Sequence, residues 1–109
     1  MGDVVPIRIK PWEKQSRKEI ELLIRNRAET EENIIILGHP QKRMKERKVT
    51  RAELMYVLRD GHIFGDVALN IKGDWEASMV RRQGSTRQIE VVTIAVREDE
   101  KIIVKTVKV

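Results

Sequence analysis

Residues 87–96, RQIEVVTIAV, decide the fold because their part IEVVTIAV would place apolar side chains on both faces of a strand. A strand with two apolar faces belongs in the interior of a sheet. The flanking stretches 75–82 (WEASMVRR) and 101–109 (KIIVKTVKV) are also strand-like, and short polar connections at 83–85 and 98–100 join the three. We therefore predict an antiparallel meander with 87–96 as its central strand.

Helices are predicted before this sheet, and two of them begin at a capping box, a Ser or Thr followed three residues later by Glu. The pairs are Ser16 with Glu19 and Thr50 with Glu53. The first box opens a helix over 18–28, and Asp60-Gly61 closes the helix that the second box opens. Helical spacing places Ile24 and Leu54 on the apolar sides of these helices, and we expect Val92, Ile94 and Val96 to be buried beneath them.

The segment between the two helices is predicted to hold a strand and a shorter helix. Residues 33–37 (NIIIL) are a brief β-branched run. Pro40 suits the first position of a helix that continues through 41–48. The prediction is a single domain over 1–109 of the α+β class, with N-terminal helices packed on a C-terminal twisted antiparallel sheet of three or more strands.

Composition excludes several function classes. The chain has no cysteine, so disulfides, thiolate metal sites and a cysteine nucleophile are impossible. Its apolar runs are too short to span a membrane, and the start MGDVVPIRIK lacks the apolar core of a secretory signal. We expect a cytoplasmic protein that has no membrane partner.

The net charge of +5 is concentrated in one segment. Residues 1–32 and 60–109 each carry as many acidic as basic residues, whereas 33–59 carry seven Lys or Arg against two Glu. A localised basic segment is typical of proteins that bind a polyanion. The alternative is a solvated helix face.

His39, Arg43 and Arg47 follow one another at four-residue spacing, which places them along one side of a helix. Two guanidinium groups bind phosphate oxygens, and an imidazole both accepts and donates a proton near neutral pH. A helix N-terminus also favours an anion. The same spacing equally describes an exposed arginine stripe with a capping histidine. Lys42 and Lys45 lie in the same segment and are candidate RNA-binding residues.

A second set, Arg81, Arg82 and Arg87, flanks the predicted hairpin and is either part of the same groove or a solvated hairpin tip. Tyr56 and Trp75 are large aromatic residues that can stack on a base, although such residues more often belong to the core.

No cofactor is expected. Asp66, Asp74 and Glu76 lie close together in sequence, but they do not form a convincing magnesium site. Two histidines without cysteines make a zinc site improbable. His62, which follows the Asp60-Gly61 helix end, is predicted to be structural.

The stretch HPQKRMKERKVTRAELMYVLRDGHI (39–63) resembles a bacterial family of small uncharacterised domains, in which a His, an Arg four residues on and a further Arg precede a helix that ends in Gly and Ile. The stretches 73–95 and 102–107 resemble its later strands. That family is similar to the RelE/barnase-like toxin superfamily, near the motility-quorum-sensing-regulator type of mRNA interferase. Residues 1–32 lie outside the resemblance as an N-terminal extension and helix, and 33–109 form the toxin-like core.

The resemblance implies a RelE/barnase-like fold with an RNA cleft between helices and sheet. It implies a metal-independent endoribonuclease toxin whose antitoxin partner masks the cleft. By position His39, Arg43, Arg47 and Arg87 would be catalytic, and Lys105 of the last strand would bind RNA. The alternative on the same fold is a non-catalytic module that binds nucleic acid or protein.

Overall fold

A computed structural model of the chain describes residues 11–84 and 87–109. Three helices and five strands are found, which confirms the α+β class. The helices are α1 (Arg17–Ala28), α2 (Gly38–Glu46) and α3 (Arg51–Asp60). The strands are β1 (Ile34–Ile36), β2 (His62–Leu69), β3 (Trp75–Gln83), β4 (Arg87–Ala95) and β5 (Ile102–Lys108). Residues 85 and 86 of the predicted β3–β4 turn lie outside the described residues.

The five strands form one mixed sheet in the order β1-β5-β4-β3-β2. The meander β3-β4-β5 is antiparallel and has β4 at its centre, as the sequence predicts. The sheet as a whole is mixed, not antiparallel as predicted, and it has one strand that was not predicted. The short β1 pairs with β5 in parallel, and the unpredicted β2 pairs with β3 antiparallel. The pattern of β2 is interrupted by Gly65, which has a φ of +76°, and its register shifts between Phe64 and Ala68.

Local sequence signals set the ends of α1 and α3. Both predicted capping boxes are present, with the Ser16 hydroxyl accepting from the Glu19 N–H and the Thr50 hydroxyl accepting from the Glu53 N–H, each at 3.1 Å. Gly61 ends α3, where a Cβ would lie 2.3 Å from the carbonyl oxygen of Val57. A side chain at this position would therefore force the strand that follows away from the helix.

The helix α2 begins earlier than predicted. Leu37 is the residue before its first turn, and the Gln41 N–H donates to the Leu37 carbonyl at 3.1 Å. Pro40 is therefore the third residue of the helix rather than the first. Its missing N–H costs nothing there, because the first N–H groups of a helix have no partner within the helix.

The helices cover the sheet on one face only, with α2 over β5, α3 over β3 and β4, and α1 beside α3 and against β2. The predicted orientation of β4 is wrong. The odd-numbered residues of the strand face the helices, whereas Val92, Ile94 and Val96 are half-buried on the other face. The buried β4 residues are Ile89, Val91, Thr93 and Ala95. Thr93 is polar and is therefore not expected in the core, but it is buried because its hydroxyl donates a hydrogen bond to the Ala77 carbonyl at 3.0 Å.

The free edge of β2 is covered by side chains of α1. Glu21 accepts a hydrogen bond from the Ile63 N–H at 2.8 Å, and Arg17 donates to the Ile63 carbonyl at 3.0 Å. Arg25 donates to the Gly61 carbonyl at 2.7 Å. These contacts occupy backbone groups that would otherwise invite pairing with another strand.

Candidate nucleic-acid interface

Five of the seven basic residues of segment 33–59, together with His39, lie on α2 and on the turn that ends it. We call this set the α2 surface. It comprises His39, Lys42, Arg43, Lys45, Arg47 and Lys48. All of them are exposed except Arg43, which is half-buried. The helix is held on the sheet by the buried Pro40 and Met44, so its basic side chains are left towards solvent.

His39 is the second residue of α2, and Arg43 lies one helical turn further along. The structure therefore brings these two predicted residues to neighbouring positions on one helix. Arg47 follows the last helical residue as its cap. About 12 Å of helix axis separates His39 from Arg47, since each residue advances the helix by about 1.5 Å.

The C-terminal end of α2 is closed by a left-handed residue. Lys48 has a φ of 55°, and its N–H donates to the Lys45 carbonyl while the N–H of Val49 donates to the Met44 carbonyl. This is the Schellman arrangement, and the buried Val49 and Met44 supply its usual apolar contact. The turn leaves the carbonyls of Arg47 and Lys48 pointing away from the helix ladder.

Arg87, at the start of β4, occupies those two carbonyls. One nitrogen of its guanidinium donates to the Arg47 carbonyl at 2.8 Å and to the Lys48 carbonyl at 2.9 Å. The other terminal nitrogen lies 3.5 Å from a carboxylate oxygen of Glu53. A hydrogen bond from the Thr50 backbone, supported by the charge of Arg87, holds the pKa of Glu53 below its usual value. Arg87 thus lies at the end of α2 opposite His39, and the structure does not bring the two together.

The predicted hairpin arginines lie on different faces of the sheet. Arg81 pairs with Ile89, so it lies on the helix-covered face, where its guanidinium is 4.8 Å from the ring centre of Tyr56. Arg82 is the next residue along the strand and therefore lies on the opposite face. Arg81 is a diagonal neighbour of Arg87 across the β3–β4 pair, and Arg87 is the hairpin candidate that contacts the turn ending α2.

Lys105 lies apart from the α2 surface, on the face of the sheet opposite to α1, α2 and α3. Its ammonium is 2.7 Å from a carboxylate oxygen of Glu76, a residue of β3. Asp74 accepts a hydrogen bond from the Arg97 N–H at 2.9 Å. Within residues 11–84 and 87–109, no three His, Asp or Glu residues are grouped closely enough to hold a metal ion.

The predicted structural residue His62 is exposed, with its Nδ1 3.5 Å from Glu21 and 3.3 Å from Arg25. Of the two aromatic candidates for base stacking, Trp75 is buried and Tyr56 is 53% exposed. Lys48 is not among the predicted site residues, because glycine is the usual residue at a left-handed helix end and the sequence gives no signal for a lysine there.

Comparisons of the chain with protein-family models, with curated proteins and with solved structures give no match. Among the described residues, no helix has the length and apolar character needed to cross a bilayer.

Proposed function

We propose that the protein binds RNA through the α2 surface. The observation that carries this proposal is the concentration of charge: five of the seven basic residues in the segment that holds the whole net charge lie on α2 or its terminal turn. Phosphate contacts by Lys and Arg supply most of the affinity of nucleic-acid-binding proteins. Arg81 and Arg87 extend the positive surface towards the sheet.

The contacts of Arg87 make the C-terminal end of α2 compatible with an anion. A helix C-terminus normally repels phosphate because its last carbonyls carry partial negative charge. Here the guanidinium of Arg87 binds the two outermost carbonyls and leaves Arg47 and Lys48 to present their charges outwards. The α2 surface therefore presents basic side chains from Lys42 to the capping turn, with one acidic residue of the helix, the exposed Glu46, among them.

The test is the binding of a fluorescein-labelled 20-nucleotide RNA followed by fluorescence anisotropy at low salt. We expect Arg43→Gln/Arg47→Gln to raise Kd about tenfold or more, because two phosphate contacts are lost. The matched control is Lys14→Gln/Lys72→Gln, which removes the same charge from exposed residues before α1 and between β2 and β3. Equal weakening by both pairs would show that net charge alone attracts RNA and would refute the α2 surface as the site.

A second candidate is the metal-independent endoribonuclease of a toxin–antitoxin system. It is favoured by one observation: His39 is exposed at the N-terminal turn of α2, one turn from Arg43. In this candidate His39 transfers the proton and Arg43, one turn away, stabilises the charge on the phosphorane, while Arg47 at the far end of α2 binds the RNA backbone. An antitoxin would be a protein that covers the α2 surface, and Arg87 would support the site by holding the end of α2.

Incubation of defined RNA with the protein in excess EDTA separates the two candidates. Cleavage that persists in EDTA supports the ribonuclease. Binding without cleavage leaves the RNA-binding module. Cleavage that requires magnesium and leaves 5′-phosphate ends would refute the metal-independent mechanism.

A further inference from the structure

Tyr56 is an exposed aromatic residue on a helix whose other large apolar residues are buried. Its neighbours Met55, Val57 and Leu58 are within the core, whereas Tyr56 is 53% exposed. The core therefore covers only part of this side chain, and a cationic residue contacts its ring. The guanidinium of Arg81 lies over the ring at 4.8 Å from its centre, within the range of a cation–π contact.

The ring of Tyr56 also borders a surface cavity of about 620 Å³ between α3 and the end of α1. Ala52 and the buried Met55 give this cavity an apolar base. Arg81 is not among the residues that line the cavity, so a ligand that enters it can contact Tyr56 without displacing Arg81. The volume is that of a small-molecule site and is sufficient for one nucleobase.

The polar lining of the cavity suits a base better than a phosphate. Its two arginines are already bound to protein acceptors: Arg51 to Glu31 at 2.8 Å, and Arg59 to the Ala28 carbonyl at 2.8 Å. The remaining polar groups of the lining include the carboxylates of Glu29 and Asp60. Carboxylates accept hydrogen bonds from the amino groups of bases, but they repel phosphate.

Two arginines of the β3–β4 hairpin, Arg81 and Arg87, link Tyr56 to the end of α2. Glu53, one turn before Tyr56 on α3, faces Arg87, and Arg87 binds the carbonyls that end α2. Arg81 lies between Arg87 and the Tyr56 ring. A strand whose phosphates follow the α2 surface and Arg81 can therefore place one base against Tyr56.

We infer that the RNA bound by this protein is single-stranded at this site, and that Tyr56 stacks on one unpaired base beside the cavity. This inference rests on the proposed RNA binding. Duplex bases are already stacked on their neighbours, so only an unpaired base can reach the ring. Arg81 acts as a positioning residue that fixes the ring from its other side.

The experiment compares a fluorescein-labelled 12-nucleotide single-stranded RNA with a 12-base-pair RNA duplex. We expect Tyr56→Ala to weaken single-strand binding about tenfold, within the range known for the loss of one stacked base, and to leave duplex binding unchanged. Tyr56→Phe retains the stacking ring and should stay within about twofold of the wild type. The matched control is Phe64→Ala, an equally exposed aromatic residue on the face of the sheet away from the helices. It should change neither Kd.

The salt dependence of binding distinguishes stacking from a loss of charge. Tyr56→Ala should leave the slope of log K against log salt unchanged, since stacking releases no counterions. If Tyr56→Ala binds the single strand with the same Kd as the wild type, the inference is overturned while the proposed RNA binding stands. Equal losses in Tyr56→Ala and Tyr56→Phe would also overturn it, because they would assign the role to the hydroxyl. Absence of wild-type binding to either RNA would instead refute the proposed function. Thermal unfolding monitored by circular dichroism establishes that each variant is folded.

Discussion

Arg87 donates a hydrogen bond to the backbone carbonyl of Arg47 at 2.8 Å, although 40 residues separate them in the chain. Together with the bond to Lys48, it joins the start of β4 to the end of α2. Arg87→Ala should lower the free energy of unfolding by about 1.5–3 kcal/mol, the range for hydrogen bonds that involve a charged group. Urea denaturation measures the change. The exposed Arg82→Ala serves as the control and should stay within about 0.5 kcal/mol. Equal stability of Arg87→Ala and the wild type would show that the contact contributes nothing to the fold.

The pH dependence of stability should reveal the carboxylate of Glu21. Burial raises the pKa of Glu21, but hydrogen bonds from the Ile63 backbone, Lys18 and His62 outweigh burial and hold it below the usual 4.5. The folded state therefore favours the ionised form, and this stabilisation is present above about pH 4.5 and is lost as pH falls through the lowered pKa. Glu21→Gln should destabilise the protein by about 1 kcal/mol at pH 7 and by less at pH 3. Denaturation curves at several pH values measure the difference. A difference that is constant with pH would contradict the assignment.

The orientation of β4 can be tested with two isoleucines of the same strand. Ile89 is fully buried under the helices, whereas Ile94 is half-buried on the opposite face of the sheet. Ile89→Ala should cost about 2–5 kcal/mol, and Ile94→Ala less than half as much. The identical substitution makes each variant the control for the other. A larger loss of stability in Ile94→Ala than in Ile89→Ala would contradict the observed orientation of β4 and support the one that the sequence predicts.

The features that sequence predicts here are local, and those it misses depend on distant partners. The Ser16–Glu19 and Thr50–Glu53 boxes are predictable because both members lie within one helical turn. The orientation of β4 cannot be predicted in this way, because Val92 and Ile94 are as apolar as the residues that face the helices. Thr93 can be buried because Ala77, on the neighbouring strand, supplies an acceptor for its hydroxyl.

In the candidate site, too, the local features could be predicted from the sequence and the long-range ones could not. The four-residue spacing of His39 and Arg43 predicts neighbouring positions on one helix, and α2 places them so. Arg87 is a different case, since nothing near it in the sequence indicates that its partners are the carbonyls that end α2. The separation of Arg81 and Arg82 onto opposite faces follows from strand geometry, but which of them lies beside Tyr56 depends on the packing of α3.

If the protein cleaves RNA, His39 should carry the proton transfer. His39→Ala should lower the cleavage rate about a hundredfold or more, the usual magnitude for the loss of a general acid or base. Because His39 is exposed, thermal stability should be unchanged. Mass analysis of the products should find 2′,3′-cyclic phosphate or 3′-phosphate ends, and a 2′-deoxy substitution at the cut site should block the reaction. Undiminished cleavage by His39→Ala would remove His39 from the mechanism.

The central claim is that the α2 surface contacts the phosphates of RNA, and the salt dependence of binding tests it most directly. The measurement is the slope of log K against log salt for a single-stranded RNA, obtained for the wild type, Arg43→Gln/Arg47→Gln and the control Lys14→Gln/Lys72→Gln. Each phosphate contact on a single strand contributes about 0.7 to this slope. We expect the arginine pair to flatten the slope by about 1.4 and the lysine control to leave it unchanged. A slope that is the same in the arginine variant and the wild type would contradict the claim.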